Sequence, residues 1–350
     1  MPSQRIYLDH AATTPLRPEA KVAMDEGFAM WANPSSPHAE GRKARAALED
    51  ARDRCKAALG WDGELIFTSG ASEAASLALL HAKAGARLVS AVEHDCILGT
   101  ARQAERLPVG ADGALDLDVL QEAVQREEPL VAVQQVNSET GNRQDLEAVA
   151  RLVGEAGGLL LADCAQGAGK IALPQCDMAI VSAHKFGGPV GIGALLVKRF
   201  GMLEPTGGHE RGYRRGTENL PGALGMAAAL EADGPYLGDE VLAARDRLAD
   251  TVRGAGGTWW ADRLSDSTPF VSALAMPKMS ATAQVMRFDM MGFAVSQGSA
   301  CSSGTMKTSH VMQAMSVEPQ LADRTIRVSL GWNTTPEELD AFADAWKSLT

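Results

Sequence analysis

The sequence has few of the features that mark several large classes of protein. Its five cysteines are an odd number, lie far apart and include no C-x-x-C pair, which argues against a disulfide framework or a structural zinc site and favours reduced thiols. No apolar run approaches the roughly 20 residues that span a bilayer, and the first residues show no signal-peptide pattern. A net charge of −11 disfavours binding to nucleic acid or an anionic membrane through bulk charge. We therefore expect a cytoplasmic protein with neither partner.

Lysine is scarce, whereas apolar residues are abundant. Only ten lysines occur in 350 residues, so few of them can serve as a reactive amine. Hydrophobic residues make up 45% of the chain, which is enough for a sizeable buried core. At roughly 150 residues per domain, the length predicts two domains.

Apolar runs alternate with amphipathic stretches between residues 64 and 200. This alternation is typical of an α/β domain whose mainly parallel sheet is covered by helices on both faces. The predicted strands are Glu64–Thr68, Arg87–Ala91, Leu130–Val136, Leu159–Ala162, Met178–Ser182 and Gly193–Val197, and the predicted helices among them are Ser72–Lys83, Leu115–Arg126 and Asp145–Ala156.

A second, smaller domain of the α+β class is predicted after residue 234. A helix near 217–233 ends at Asp233-Gly234-Pro235, which is a typical boundary signal. A helix at 240–254, strands near 268–275 and 324–330, and a terminal helix from Glu337 follow.

Ligands of open α/β sheets bind beyond the carboxyl ends of the strands, so the polar residues there are the first to consider. After Thr68 a glycine turns the chain into a helix that starts near Ser72. The free N–H groups of such a helix start bind phosphate well. An ordinary strand–turn–helix joint with a capping serine is the alternative.

Asp163 and Lys185 follow two consecutive strands, so they are expected to face each other across one crevice. A buried carboxylate needs a cationic partner or a strong donor, and a partly desolvated lysine suits Schiff-base chemistry. Together with a phosphate cradle, they are what a pyridoxal 5′-phosphate (PLP) site requires. The alternatives are a helix-capping role for Asp163 and a solvated loop position for Lys185.

Three further residues are candidates for chemistry. Cys301 lies among small residues in Gly298–Gly304 and is the best candidate nucleophile, whereas the other cysteines lie in or beside apolar segments. Arg327, in an apolar strand, would bind a substrate carboxylate or form a structural ion pair. His94, after another strand, would stack on a planar cofactor or fill a structural role.

These motifs occur in the order found in a known family. The chain resembles the NifS/IscS-type cysteine desulfurases, which are class V members of the fold-type I PLP enzymes, from Tyr7 to about Asp340. The motifs that carry the resemblance are Tyr7–Pro15 (YLDHAATTP), Asn33–His38 (NPSSPH), Thr68–Glu73 (TSGASE), Glu93-His94, Val136–Gly141 (VNSETG), Asp163 with Gln166, Ser182–Lys185 (SAHK), Arg214–Asn219 (RRGTEN) and Gly298–Gly304 (GSACSSG).

The resemblance implies a fold-type I PLP-dependent transferase with a large domain at 16–234, built on a mainly parallel sheet of the seven-stranded type. Residues 1–15 and 235–350 would form the small domain, which carries the cysteine loop. The resemblance implies a covalent bond of the cofactor to Lys185, an ion pair of Asp163 with its pyridinium nitrogen, and stacking of His94 on its ring. Gln166 and Asn137 would contact the polar edge of the ring. The residues implied to bind the phosphate are Ala71, Ser72, Ser182 and His184.

The resemblance also implies the reaction and the partners. Sulfur would pass from L-cysteine to Cys301 as a persulfide, leaving L-alanine, and then to an acceptor such as an iron–sulfur scaffold protein. Arg327 would bind the substrate carboxylate with Asn33 and Asn137. Thr217 would reach the phosphate of the neighbouring subunit, so a homodimer is implied. The resemblance further permits Cys301 to act as a transient ligand of an iron–sulfur cluster.

Some positions depart from the pattern of the family, and two other functions remain open. Ser72 replaces threonine, Ser138 asparagine, Val190 lysine and Arg215 serine; none of these changes removes a catalytic group. A related class V enzyme would act as a selenocysteine or cysteine sulfinate lyase, or as an aminotransferase. A catalytically silent PLP-binding partner subunit is the third hypothesis, although the retained Lys185 and Cys301 argue against it.

Overall fold

The computed structural model describes residues 5–298 and 309–350. Its strands are β1 (Ile6–Tyr7), β2 (Glu64–Thr68), β3 (Arg87–Ser90), β4 (Glu105–Leu107), β5 (Leu130–Gln134), β6 (Leu159–Asp163), β7 (Met178–Ser182), β8 (Gly193–Val197), β9 (Thr258–Trp259), β10 (Val271–Ala275), β11 (Phe293–Ala294) and β12 (Thr325–Ser329). All six strands predicted between residues 64 and 200 are present, with ends that agree within two residues.

The helices of the described residues are α1 (Pro18–Met30), α2 (Ala39–Leu59), α3 (Ala71–His81), α4 (Asp95–Thr100), α5 (Leu117–Ala123), α6 (Leu146–Glu155), α7 (Leu220–Leu230), α8 (Asp239–Gly254), α9 (Ala281–Met290), α10 (His310–Ala314), α11 (Pro319–Ala322) and α12 (Pro336–Leu349). The helix expected near 217–233 is shorter, because the side chain of Asn219 caps its first turn and Pro221 lies in that turn. None of these helices is both long and apolar enough to cross a membrane.

Seven strands form the large sheet, in the order β2-β8-β7-β6-β5-β3-β4. Strand β8 is antiparallel to both of its neighbours, and all other pairs are parallel. The expected mainly parallel α/β sheet is therefore confirmed. Because β2, β3, β5, β6 and β7 run in the same direction, the residues that follow them meet at one edge.

The two faces of this sheet are covered by different helices, as the alternation of side chains along a strand requires. Leu65 and Phe67 of β2 belong to a core shared with α2, α6 and α7. Ile66, which lies between them and points to the opposite face, belongs to a core shared with α3 and α4. Apart from the edge strand β4, the strands of this sheet are buried on both faces, which explains why they read as continuous apolar runs.

A three-stranded antiparallel sheet, β12-β10-β9, packs with α8, α9 and α12 around a separate apolar core. Strand β1 pairs with β11, and Asp9 forms a bridge with Ser329. The segment that precedes α1 is thereby attached to the second half of the chain. The division into domains at 16–234 and at 1–15 with 235–350 stays a prediction.

Candidate functional site

A cleft of about 450 Å³ lies at the edge of the large sheet where the parallel strands end. It brings together side chains that are far apart in the sequence. The residues of the predicted site that line it are Ala71, Ser72, His94, Asp163, Gln166, Ser182, His184, Lys185 and Arg327.

The start of α3 provides an anion-binding surface in this cleft. The first residue before the helix, Gly70, has φ +149° and ψ −175°, a conformation that is open essentially to glycine alone. No side chain caps the helix, so the first N–H groups, at Ala71 and Ser72, keep their capacity to bind a ligand. The carboxylate of Glu73 accepts a hydrogen bond from the N–H of Ser69 and supports the turn.

Asp163 is the last residue of β6 and is 7% exposed. Its Oδ1 accepts a hydrogen bond from the N–H of Ala165 at 2.9 Å. A turn follows rather than a helix, so the helix-capping role considered for Asp163 is wrong. Burial raises its pKa, although this hydrogen bond and the positive charges of His94 and Lys185 oppose the effect. A cation bound in the cleft would therefore stabilise the ionised form of this carboxyl group.

Lys185 lies in a short 3-10 helix, at 183–185, directly after β7. Its Nζ donates hydrogen bonds to the backbone oxygens of Ala11 (2.6 Å) and Ala12 (2.9 Å). Gln166 donates to the same Ala11 oxygen at 2.9 Å. The segment that precedes α1 thus supplies hydrogen-bond acceptors that hold the amine of Lys185 near Asp163. A solvated loop lysine would lack such acceptors from the protein.

His184 is adjacent to this amine, and its Nδ1 is 3.1 Å from the hydroxyl of Thr13. Burial, which is the largest cause, and the positive charges of Lys185 and Lys170 together lower its pKa to about 4. The imidazole is therefore neutral at physiological pH, and it would contribute to the binding of an anion in the cleft through hydrogen bonding rather than through charge.

His94 lines the cleft and also has a structural role. Its Nδ1 accepts a hydrogen bond from the N–H of Cys96 and caps α4. His94 therefore fills the structural role considered as the alternative, and it also lines the cleft. The preceding Glu93 is fully buried, and one of its oxygens accepts from the N–H of Gln134 at 2.8 Å. Burial raises the pKa of Glu93 well above its ordinary value, and the negative charge of Asp163 adds to this effect.

Arg327 of β12 enters the cleft from the small sheet and is 1% exposed. It donates hydrogen bonds to Asp9 at 2.7 Å and to the backbone oxygen of Ser138 at 2.8 Å. The ion pair considered as the alternative therefore exists. Its Nε is buried and has no partner among the described residues, so the guanidinium keeps one donor for a carboxylate in the cleft.

Three predicted site residues do not line this cleft, and a fourth is not among the residues that the structure describes. Asn137 is buried next to the cleft, and its side-chain oxygen accepts three hydrogen bonds from the turn that follows it. Asn33 and Thr217 are exposed and do not line the cleft of their own chain. Cys301 lies outside the described residues. The roles expected for these four residues stay predictions.

The structure adds cleft residues that the sequence argument did not single out. Cys96, Gln134 and Val136 line the cleft, as does Ser138, which had been noted only as a departure from the family pattern. Asp9 is a further addition, as the ion-pair partner of Arg327. Gln134 is the last residue of β5, as Asp163 is the last residue of β6, and Val136 follows two positions later. Their position at the strand end was therefore the available signal.

These groups fit the cofactor that the family resemblance implies. The α3 terminus suits a phosphate, Asp163 a protonated ring nitrogen, and Lys185 a carbonyl carbon. Gln166 is 5% exposed, and its side-chain oxygen is buried without a hydrogen-bond partner among the described residues. A polar molecule in the cleft would satisfy this group together with the free Nε of Arg327.

Comparisons with known proteins agree with this geometry. The model of the aminotransferase class-V family matches residues 6–342. A cysteine desulfurase from Cereibacter sphaeroides is 38% identical over 97% of this chain and 94% of its own. Among solved structures, a NifS-like protein from Rickettsia africae is 26% identical with a TM-score of 0.89 and covers 99% of both chains. The structure described as SspA in complex with cysteine is 29% identical with a TM-score of 0.81, over 93% of this chain and 99% of the other. The chain therefore belongs to the class V aminotransferase family and, within it, to the cysteine desulfurases.

Proposed function

We propose that this protein removes sulfur from L-cysteine, releases L-alanine and carries the sulfur as a persulfide on Cys301. One observation carries the proposal. A single cleft joins the uncapped start of α3, the buried carboxyl group of Asp163 and the amine of Lys185, which are the three groups that a PLP-dependent site needs.

Each of these groups has a distinct task. PLP, the cofactor of the family, supplies when bound an electron sink for negative charge at the α-carbon of an amino acid. The N–H groups of α3, with Ser182 and the neutral His184, bind the phosphate. Lys185 holds the cofactor covalently through Nζ, and Asp163 keeps a proton on the ring nitrogen by its negative charge. The stacking of His94 on the ring remains part of the proposal.

The substrate is an amino acid whose carboxylate pairs with Arg327. Because Asp9 and Ser138 already hold the guanidinium, its plane is fixed before the substrate arrives. A fixed donor orients the carboxylate at little entropic cost, and it directs the rest of the substrate toward Lys185. Participation of Asn137 and Asn33 at this point rests on the family motif.

The burial of three other cysteines supports Cys301 as the reactive thiol. Burial raises the pKa of Cys55 and of Cys176 to about 12, and that of Cys164 well above its ordinary value. These thiols are therefore protonated and poor nucleophiles. Cys96 lines the cleft, so it is the described cysteine that competes with Cys301 for the role of sulfur acceptor.

The decisive experiment combines product analysis with peptide mapping. The purified full-length chain, loaded with PLP, is incubated with L-cysteine, and alanine is measured together with persulfides located by mass spectrometry. We expect equal early yields of alanine and of persulfide on Cys301. Cys301→Ala should abolish both, and Cys96→Ala should preserve both.

Two results would end the proposal. The sulfur relay through Cys301 is wrong if Cys301→Ala forms alanine at an undiminished rate in the presence of a reductant. The assignment of the lysine is wrong if Lys185→Ala retains the visible absorbance of covalently bound PLP. Loss of persulfide in Cys96→Ala alone would move the acceptor role to Cys96.

The proposal extends to a homodimer in which Thr217 completes the phosphate site of the partner. Its support is an exposed apolar surface on and after α1, where Phe28 is 63% and Trp31 83% exposed; Val190 at the rim of the cleft is 73% exposed. Such side chains are typical of an interface. Size-exclusion chromatography with light scattering tests the dimer. The proposal also includes an iron–sulfur scaffold protein as the sulfur acceptor, transient binding of an iron–sulfur cluster by Cys301, and a cytoplasmic location.

A further inference from the structure

A carboxylate lies at the start of α3, where the phosphate is proposed to bind. Among the described residues, Glu73 and Asp163 are the acidic residues that line the cleft, and Asp163 is assigned to the ring nitrogen. Burial raises the pKa of Glu73, but the hydrogen bonds from Ser69 and the hydrogen bond and charge of Arg214 outweigh it, so the pKa lies below its ordinary value. Glu73 is therefore negatively charged at neutral pH, and by itself it would repel a phosphate dianion.

The same carboxylate supports the turn that leads into α3. Glu73 is the third residue of the helix, and its Oε2 accepts a hydrogen bond from the N–H of Ser69. A glutamate at the third position of a helix reaches back to a backbone N–H in this way in many proteins. The N–H groups of Ala71 and Ser72 are left for an anion. The turn thus gains a hydrogen bond, but the anion site gains a negative charge.

Arg214 binds this carboxylate from a distant part of the chain. Its Nε donates a hydrogen bond to Oε1 of Glu73 at 2.9 Å, and the two side chains are 18% and 28% exposed. One terminal nitrogen, Nη1, is 3.3 Å from the backbone oxygen of Gly216, to which it donates. Both oxygens of Glu73 are thereby held, one by Arg214 and the other by the N–H of Ser69. Arg214 is not among the residues that line the cleft, so its effect on a bound anion passes through Glu73.

We propose that Arg214 is a positioning residue for the phosphate site: it holds the carboxylate of Glu73 on the N–H of Ser69 and offsets its negative charge, so that the start of α3 accepts a doubly charged phosphate. An acidic residue can then support the turn without weakening the binding of an anion. The proposal rests on the proposed function for the identity of this phosphate as that of PLP, and it assigns to Arg214 no contact with cofactor or substrate.

The test compares two ligands that differ in the phosphate group. The cofactor-free full chain is titrated with PLP and with pyridoxal, which has the same ring and aldehyde but no phosphate, and binding is read from the visible absorbance of the lysine adduct. Arg214→Met leaves the charge of Glu73 without its counter-charge, so it should weaken PLP binding about tenfold and change pyridoxal binding less than about twofold.

Two further variants separate the charge of the pair from its structural role. Glu73→Gln keeps a hydrogen-bond acceptor for the N–H of Ser69, so it should bind PLP as tightly as the wild type or more tightly. The double variant Arg214→Met/Glu73→Gln should return to within about threefold of the wild-type affinity, because no unpaired carboxylate remains. Arg211→Met is the matched control: it removes the same charge from the same segment, but Arg211 is half-exposed and pairs with Glu49, so its affinity for both ligands should stay within about twofold of wild type.

Inorganic phosphate provides a readout that does not depend on PLP. Its thermal stabilisation of the cofactor-free chain, relative to chloride at equal ionic strength, should decrease in Arg214→Met and persist in Glu73→Gln. The inference is overturned if Arg214→Met weakens pyridoxal binding as much as PLP binding, or if Glu73→Gln weakens PLP binding as much as Arg214→Met does, since the pair would then support the fold alone. If Arg214→Met does not fold, Arg214→Gln takes its place. A wild-type chain that forms no adduct with either aldehyde would refute the proposed function, and the measurement with inorganic phosphate would still decide the inference.

Discussion

The buried ion pair between Arg52 and Glu210 should be among the most stabilising single contacts of the fold. Arg52 of α2 donates to both oxygens of Glu210, at 2.7 and 3.1 Å, and the side chains are 4% and 1% exposed. Glu210 also accepts from the N–H of Phe67 in β2 at 2.9 Å, and its backbone is left-handed, with φ +46°. The pair therefore fixes the 207–219 segment, which carries Thr217, against the large sheet.

Replacing Glu210 with glutamine should lower the free energy of unfolding substantially. The change leaves the guanidinium of Arg52 buried without its main counter-charge, which typically costs about 3–5 kcal/mol. Arg52 keeps two other partners, the backbone oxygen of Leu65 and the half-exposed Glu49, so we expect the lower end, about 3 kcal/mol. The double variant Arg52→Met/Glu210→Leu should recover at least about 2 kcal/mol relative to the sum of the single changes, because no buried charge remains.

Urea unfolding followed by circular dichroism measures these differences. The matched control is Arg54→Met, on the same helix, whose pair with Glu231 is partly exposed, at 34% and 39%, and should contribute less than about 1 kcal/mol. A loss below 1 kcal/mol for Glu210→Gln, equal to that of the control, would refute the reasoning, since the pair would then behave as a solvated one.

Three further changes test other parts of the structure. Gly331→Ala should destabilise the fold by about 2–4 kcal/mol in thermal unfolding, because its Cβ would lie 2.0 Å from Nδ1 of the buried His10; an unchanged Tm would contradict the packing. Gly193→Ala should weaken PLP binding at least several-fold in a spectrophotometric titration, because its Cβ would lie 2.8 Å from the Cα of Gly70 at the start of α3. Wild-type affinity for PLP would show that the start of α3 does not bind the phosphate. Glu93 has a raised pKa in the folded state, so its ionisation opposes folding as the pH rises above its unfolded pKa of about 4.3. Glu93→Gln should therefore stabilise the cofactor-free chain by about 1–2 kcal/mol at pH 7 and not at pH 4. A stability gain that is the same at both pH values would exclude ionisation as the cause.

The large sheet and the core of its site could be predicted from the sequence because both depend on local patterns. Parallel strands buried on both faces read as apolar runs, and the residues that follow them must share one edge. For this reason Asp163 and Lys185, at the ends of the adjacent strands β6 and β7, were expected to face one crevice, and both line the cleft.

Contacts between distant parts of the chain could not be predicted in this way. Asp9 and Arg327 are separated by 318 positions, and no local pattern indicates that β1 and β12 approach each other. The burial of Glu93 was likewise not apparent, because its hydrogen-bond donor, the N–H of Gln134, belongs to another strand 41 positions later. Lys170 lies 4.8 Å from the ring centroid of Phe270, a residue that comes 100 positions later in the chain.

The pairing of β1 with β11 has a consequence for biosynthesis. Ile6 and Tyr7 are translated early, yet their partners Phe293 and Ala294 are about 290 residues away, which corresponds to roughly 15–60 s of elongation at typical rates. Until then the segment that supplies the acceptors of Lys185 has no strand to hold it in place. The seven-stranded sheet is complete much earlier, once residue 197 has emerged. A nascent chain therefore has all the strands of its large sheet before the segment that holds the amine of Lys185 acquires its strand partner. We expect the cleft to reach its final form only after β11 has been synthesised.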